Sequence, residues 1–196
     1  MFGIGKRKTI EDMLAALAPL NIGLAPGRTV VDLTSDWSRD QIEKDGYEMM
    51  LAALGSEMLD GKTFESKGWI SNDVWHFDGE CIEAEDAYTP IINRAVMISG
   101  GELKLDSIRS FVDFDAGAAR VEWISRNKPA RHDLKFDNDW ADSALFEILD
   151  AELAAQGSTR QFFNVPLGQD CIFICCEPAR RSALQKTTGL TLRKLV

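Results

Sequence analysis

Lysine and arginine are missing from the whole stretch between Gly68 and Asn93. Together with a formal charge of −9, that gap disfavours nucleic acid and anionic membrane as partners, because phosphate binding needs clustered cations. Histidine is scarce as well: His76 and His132 are the only two. Acid–base chemistry near neutral pH therefore has few candidate groups. The patterns Gly-x-Ser-x-Gly, Gly-x-Gly-x-x-Gly and His-Glu-x-x-His do not occur, which removes three common catalytic and cofactor-binding signatures. Gly3-Ile-Gly5-Lys6, Ser125-Arg-Asn-Lys128 and Lys186-Thr-Thr-Gly189 resemble motif fragments, but each lacks the spacing or the companion motif its chemistry requires.

No apolar run approaches the ~20 residues that a membrane-spanning helix needs. Met1 to Lys8 is basic, yet Glu11 and Asp12 interrupt the stretch that follows, so no signal-peptide core is read there. No Asn-x-Ser/Thr acceptor is present. Cysteine is limited to Cys81, Cys171, Cys175 and Cys176, with no Cys-x-x-Cys. Three of them belong to the apolar run Cys171-Ile-Phe-Ile-Cys-Cys176, where a thiol acts as a small hydrophobe. Adjacent Cys175 and Cys176 should point to opposite faces of a strand and make poor disulfide partners. Reduced thiols imply a cytoplasmic setting.

The cation gap holds six carboxylates: Asp73, Asp78, Glu80, Glu83, Glu85 and Asp86. Trp69, Trp75, Phe77 and Tyr88 are interleaved with them. Carboxylates this dense repel one another, so they are solvated, paired with bases elsewhere, or kept for a cationic partner. The chain as a whole is acidic, with a formal charge of −9 over 196 residues. Its apolar content of 45% is ordinary for a globular protein and sufficient for a substantial core.

Local signals place the elements. Thr9-Ile-Glu-Asp12 reads as a capping box that opens a helix through Leu17, which Pro19 ends. Arg28 to Leu33 reads as a short strand. Ser35 or Asp36 is expected to cap one helix carrying Ile42, Met49, Met50, Leu54 and Met58, weakened at Gly46. From Thr63 to Phe136, aromatic and β-branched residues alternate with polar ones, as in antiparallel strands. Asp115-Ala-Gly117 suits a hairpin between Phe111 and Trp123. Asp137 or Asp139 should cap a third helix ended by Gly157. Gln161–Val165 and Asp170–Cys176 read as strands, the second central. Ala179–Thr188 reads as a helix ended by Gly189, and Leu190–Leu195 as an edge strand.

These readings define one α+β domain over residues 1–196. A mainly antiparallel sheet of about six strands would pack with N-terminal and C-terminal helices. The helical N-terminal layer spans about 9–60, the sheet-rich part about 63–136, and the helix–strand–helix part about 138–196.

Function is read from the acidic–aromatic run. Asp73, Trp75, Asp78, Glu80, Glu83, Glu85, Asp86 and Tyr88 are the candidate partner-binding residues, since aromatics supply contact area and carboxylates steer a basic partner. The expected class is a non-catalytic protein-binding module with no cofactor and no metal. An immunity protein or antitoxin that neutralises a basic, nuclease-type toxin is its concrete form. The opposing reading has Arg120, Arg126, Lys128, Arg131 and Lys135 neutralise the run across strands. A small-ligand or regulatory domain with an apolar pocket is the first alternative. The second is an enzyme using His76 with nearby carboxylates. His132 is expected in solvent. A zinc site from His76, Cys81, Cys175 and Cys176 is weakly supported by spacing.

Overall fold

The computed structural model describes residues 7–194. Gly3–Lys6 and Leu195 lie outside the described residues.

The N-terminal capping box forms as expected. Thr9 accepts from the Asp12 N–H at 3.1 Å and Asp12 accepts from the Thr9 N–H at 3.2 Å, which opens α1 (Ile10–Leu17). A 3₁₀ turn at Ala18–Leu20 follows. The expected strand at Arg28–Leu33 is instead a short helix, α2 (Val30–Leu33). A second capping box decides this: Thr29 accepts from the Asp32 N–H, and Asp32 takes the Thr29 N–H at 2.7 Å. Two satisfied amides outweigh the β preference of two valines. The single helix expected after Asp36 is two, α3 (Arg39–Asp45) and α4 (Tyr47–Gly55). Ser38 caps the first, and Gly46 at φ +72° separates them. Glycine occupies that conformation at little steric cost, so it breaks the helix rather than merely weakening it.

Among the described residues three antiparallel sheets follow, where one of about six strands was expected. β1 (Glu57–Leu59) and β2 (Ser66–Trp69) form a small ribbon. β3 (Val74–Asp78) enters the central sheet, whose order is β3-β8-β7-β9. The helix α5 (Tyr88–Ile98) comes next, followed by a meander of β4 (Asp106–Asp113), β5 (Ala118–Ser125) and β6 (Lys128–Leu134). The Asp115–Gly117 hairpin closes β4 onto β5. Arg126 and Asn127, both at positive φ, turn β5 into β6. After α6 (Ala144–Ala155) the chain completes the central sheet with β7 (Gln161–Pro166) and β8 (Asp170–Cys176). α7 (Pro178–Thr188) and the edge strand β9 (Arg193–Lys194) close the described chain.

The central sheet is buried on both faces. Val74, Ile172, Ile174, Cys176, Phe163 and Val165 pack with α1, α3, α4 and α7 on one side. Trp75, Phe77, Phe173, Cys175 and Phe162 pack with α5, α6 and the meander on the other. Alternation along β8 sends Cys175 and Cys176 to opposite cores, as their adjacency requires. The C-terminal end of α4 lies directly on β3: a Cβ on Gly55 would stand 2.2 Å from the His76 backbone nitrogen. Only glycine permits that approach. Among the described residues no helix is long and apolar enough to cross a membrane.

Candidate functional site

The acidic run leaves the central sheet at Asp78 and travels along the surface to α5. Asp78 terminates β3 and folds back on itself, accepting from the Glu80 N–H at 2.9 Å and from Gln169 Nε2 at 3.0 Å. The chain then lies against residues 139–141. Ala141 donates to the Gly79 carbonyl and Ile82 to the Asp139 carbonyl, both at 2.8 Å. Ile82 is buried and pins the loop, and Glu85 accepts the Val112 N–H through its carbonyl. Held by its backbone in this way, the loop presents Glu80, Glu83, Glu85 and Asp86 to solvent.

Among the described residues these side chains are not neutralised. Among the described residues, no lysine or arginine forms an ion pair with Asp78, Glu80, Glu83, Glu85 or Asp86. The cations that sequence pairing would have assigned to them are engaged elsewhere or stand apart. Arg120 meets Glu122 at 3.4 Å, Arg131 meets Asp133 at 3.5 Å, and Lys135 meets Asp137 at 2.7 Å. Arg126 and Lys128 sit at the β5–β6 turn.

Three of the expected surface residues are corrected. Trp75 is 5% exposed and packs edge-on to Phe77 with ring centroids 4.6 Å apart. Both faces of the central sheet are covered, so Trp75 is buried by its mid-strand position, and Asp78 is exposed because it ends β3. Tyr88 is 1% exposed, and its hydroxyl accepts from the Asp142 N–H at 2.9 Å. Asp73 is half-buried away from the loop and accepts from the Gly23 N–H at 3.3 Å. Burial pushes its carboxyl pKa up, with Arg180, Arg160 and Arg94 opposing that shift.

Asp73 has a pH consequence. A raised folded-state pKa means the fold disfavours the ionised carboxylate. The wild-type chain therefore loses stability as pH rises from the ordinary aspartate range through the folded-state pKa. An amide in place of that carboxyl would not titrate. The melting temperature of Asp73→Asn relative to wild type should climb between pH 3 and pH 7, and a flat difference would contradict the buried-carboxylate assignment.

Trp140 supplies the exposed aromatic that Trp75 and Tyr88 do not. It is 42% exposed, bridges to Glu80, and lays its ring over Gly79, where a Cβ would meet Trp140 Cζ3 at 3.2 Å. Its sequence setting, Asn138-Asp-Trp140 between a strand and a helix, carries no periodic signal that marks exposure.

His76 contacts one carboxylate, Asp170, with Nε2 to Oδ2 at 3.3 Å. It lies half-buried on the same sheet face as Val74, the face turned to the N-terminal helices. Among the described residues, Asp170 is the one carboxylate in ion-pair contact with it, where an acid–base set at an open cleft requires two. His132 is half-buried with its ring tilted against Trp123 at 4.9 Å between centroids, which corrects its expected solvation. Among the described residues no group of three His, Cys, Asp or Glu side chains is arranged to hold a metal ion.

All four cysteines are free. Burial raises the thiol pKa of Cys81 and Cys176 to about 11 and that of Cys171 to about 12, and pushes Cys175 up as well. At pH 8 the native thiols are overwhelmingly protonated, which disarms them as nucleophiles. Iodoacetamide labelling at pH 8 should be on the order of a hundredfold slower in the native protein than in urea. A cysteine alkylated natively at its denatured rate would contradict this.

Surface hollows range from 180 to 770 Å³. A 180 Å³ pocket with an aromatic floor of Phe77, Phe146 and Phe173 adjoins the acidic loop. It is smaller than the roughly 300–1,000 Å³ of typical ligand sites. A 670 Å³ hollow between residues 101–106, the β5–β6 turn and the end of α6 is open and lined mainly by polar side chains. Compared with known proteins, the chain matches no family model, no curated protein and no solved structure.

Proposed function

We propose that the chain is a non-catalytic binding protein that docks a basic protein onto the loop between β3 and α5. The observation that carries this reading is the set of exposed carboxylates at positions 78–86, which no lysine or arginine of the described chain pairs with. Unpaired surface carboxylates held on an anchored backbone give a fixed negative field that steers a cationic partner. Trp140, beside Glu80, adds an exposed aromatic of the kind that anchors interfaces. The concrete form of this function is neutralisation of a cationic, nuclease-type toxin in the cytoplasm. A nuclease must attract polyanions, so carboxylates can occupy its cleft in place of phosphates. Affinity capture from host lysate at low salt, with wild type and Glu83→Lys/Glu85→Lys/Asp86→Lys side by side, tests the reading. Retention of a basic protein by wild type and its loss by the variant is expected. Equal capture by both would remove the proposal.

The two cores meet across the central sheet, which supports a further reading of the chain as one folding unit. Tryptophan fluorescence and far-UV circular dichroism should then report one coincident urea transition. Two separated transitions would refute it.

A further inference from the structure

A hollow of 770 Å³ is framed by the chain leading into α1, the junction of α3 with α4, and the end of α7. Four cations line it: Arg7, Lys8, Lys44 and Lys186. Arg7 is engaged by Asp40 at 3.0 Å. Glu43, on the same lining, is engaged by Arg39 at 3.0 Å and accepts from the Ile10 N–H at 3.3 Å. Among the described residues, no carboxylate forms an ion pair with Lys8, Lys44 or Lys186, and no cation forms one with Asp45, the other acid of the lining. Three lysines against one carboxylate leave an excess of positive charge, on a chain whose formal charge is −9. Such a cluster carries a like-charge repulsion that a bound anion relieves. Lys44 and Lys186 each occupy the last turn of a helix, where a cation offsets the macrodipole. That role is filled at each helix separately and does not bring both helix ends and Lys8 into one hollow. Neutral donors are added. Tyr47 is 8% exposed; its hydroxyl accepts from Lys8 Nζ at 3.3 Å, and its own O–H has no acceptor among the described residues. Gly46 begins α4 without a side-chain cap, so the first amides of this 9-residue helix also lack a side-chain acceptor.

We propose that this hollow binds a diphosphate group. A lysine ammonium is a point charge with three rotatable donors, suited to tetrahedral phosphate oxygens approached from different sides. A planar carboxylate is met best by the fork of an arginine, and the arginine of this lining already holds Asp40. One phosphate monoester carries about −1.5 to −2 at pH 7. A diphosphate spreads a larger charge over more oxygens, which matches three separate ammonium groups. The Tyr47 O–H and the first amides of α4 supply neutral donors, as helix N-termini do for phosphate elsewhere. The hollow falls within the roughly 300–1,000 Å³ of typical ligand sites, so it has room for the group that carries the diphosphate. It shares no residue with the loop between β3 and α5, and its ligand is of the opposite charge to the partner proposed for that loop.

The test is an ¹⁵N-NMR titration of the full chain with inorganic pyrophosphate, set against sodium chloride at matched ionic strength. Pyrophosphate should shift the Gly46, Tyr47 and Glu48 amides saturably, while chloride leaves them near their starting positions. Lys44→Gln/Lys186→Gln should weaken binding at least about tenfold, the size expected for losing a hydrogen bond to a charged group. Both lysines are exposed and their side chains make no hydrogen bond among the described residues, so the double variant should keep the wild-type spectrum elsewhere. Lys104→Gln, at an exposed lysine outside the hollow, should bind as wild type does. Adenosine diphosphate is the second probe. Binding tighter than pyrophosphate assigns the site to an organic diphosphate, and binding no tighter assigns it to the inorganic anion. Amides of residues 80–86 should respond to neither probe. Unsaturable shifts that chloride reproduces, or undiminished affinity in Lys44→Gln/Lys186→Gln, overturn the proposal.

Discussion

Arg94→Ala should destabilise the fold by about 3–5 kcal/mol, the range seen when a buried polar network is broken and a cavity is left. Arg94 lies on α5, is 3% exposed, and has no carboxylate in ion-pair contact among the described residues. Its guanidinium sits 3.8 Å over the Trp69 ring and donates to the carbonyls of Ser71 at 2.8 Å and Val74 at 2.5 Å. Burial lowers its pKa to about 9, with Glu57 and Asp73 opposing the shift, so it remains charged at neutral pH. Removing the side chain orphans two carbonyls where β2 passes into β3, each costing about 1–3 kcal/mol when buried unpaired. It also empties the space beneath Trp69. Lysine would restore at most a point donor without the planar stack, so Arg94→Lys should fall between alanine and wild type. Urea midpoints at unchanged m-value provide the readout. A loss under about 1 kcal/mol for Arg94→Ala would show that the guanidinium is not the strut described here.

Reversing Glu83, Glu85 and Asp86 to lysine should slow association with a captured basic partner by about 10- to 1,000-fold at low ionic strength. Most of that difference should vanish in 1 M salt, where the Debye length falls to about 3 Å. The three side chains are exposed and make no hydrogen bond among the described residues, so the substitutions should leave the melting temperature within a few degrees of wild type. Asp78 is a poorer choice for the same experiment, because it holds the Glu80 N–H and Gln169. Its loss would loosen the turn and confuse steering with local unfolding. Stopped-flow rates across a salt series distinguish the cases. A uniform salt slope in wild type and variant would mean that the loop does not face the partner.

Some features written within one turn of chain are legible from the residues alone, although the equally local Thr29–Asp32 box is read as a strand and the helix starts at Ser38 and Ser143 are read a few residues early. The Thr9–Asp12 box, the hairpin at Gly117 and the left-handed helix ends at Gly157 and Gly189 each depend on neighbours a few positions away. Elsewhere, contacts remote in sequence decide the outcome. Residues 88–98 read as part of the sheet-rich segment because Tyr88, Thr89, Ile91 and Ile92 favour strands. Ile91, Ile92, Ala95 and Ile98 nevertheless recur at helical spacing, and packing against the core selects the helix α5.

The candidate site shows the same division. Charge density and the missing cations are readable, and the loop carboxylates are exposed. Exposure of the aromatics is not readable, because strand parity at Trp75 and the tertiary bond from Asp142 to Tyr88 are set by the fold. Trp140 and the pocket at Phe146 and Phe173 come to the acidic loop from more than fifty residues downstream. No local pattern near Asp78 announces them.

Relaxation of the backbone amides by a cationic nitroxide, compared with a neutral nitroxide of the same size, measures the field at the loop without any partner. Amides of residues 80–86 should be relaxed several-fold more strongly by the cation at low salt, with the excess collapsing in 1 M salt. Equal enhancement by the two probes would mean that the negative charge there is already compensated, leaving no field to steer a basic protein.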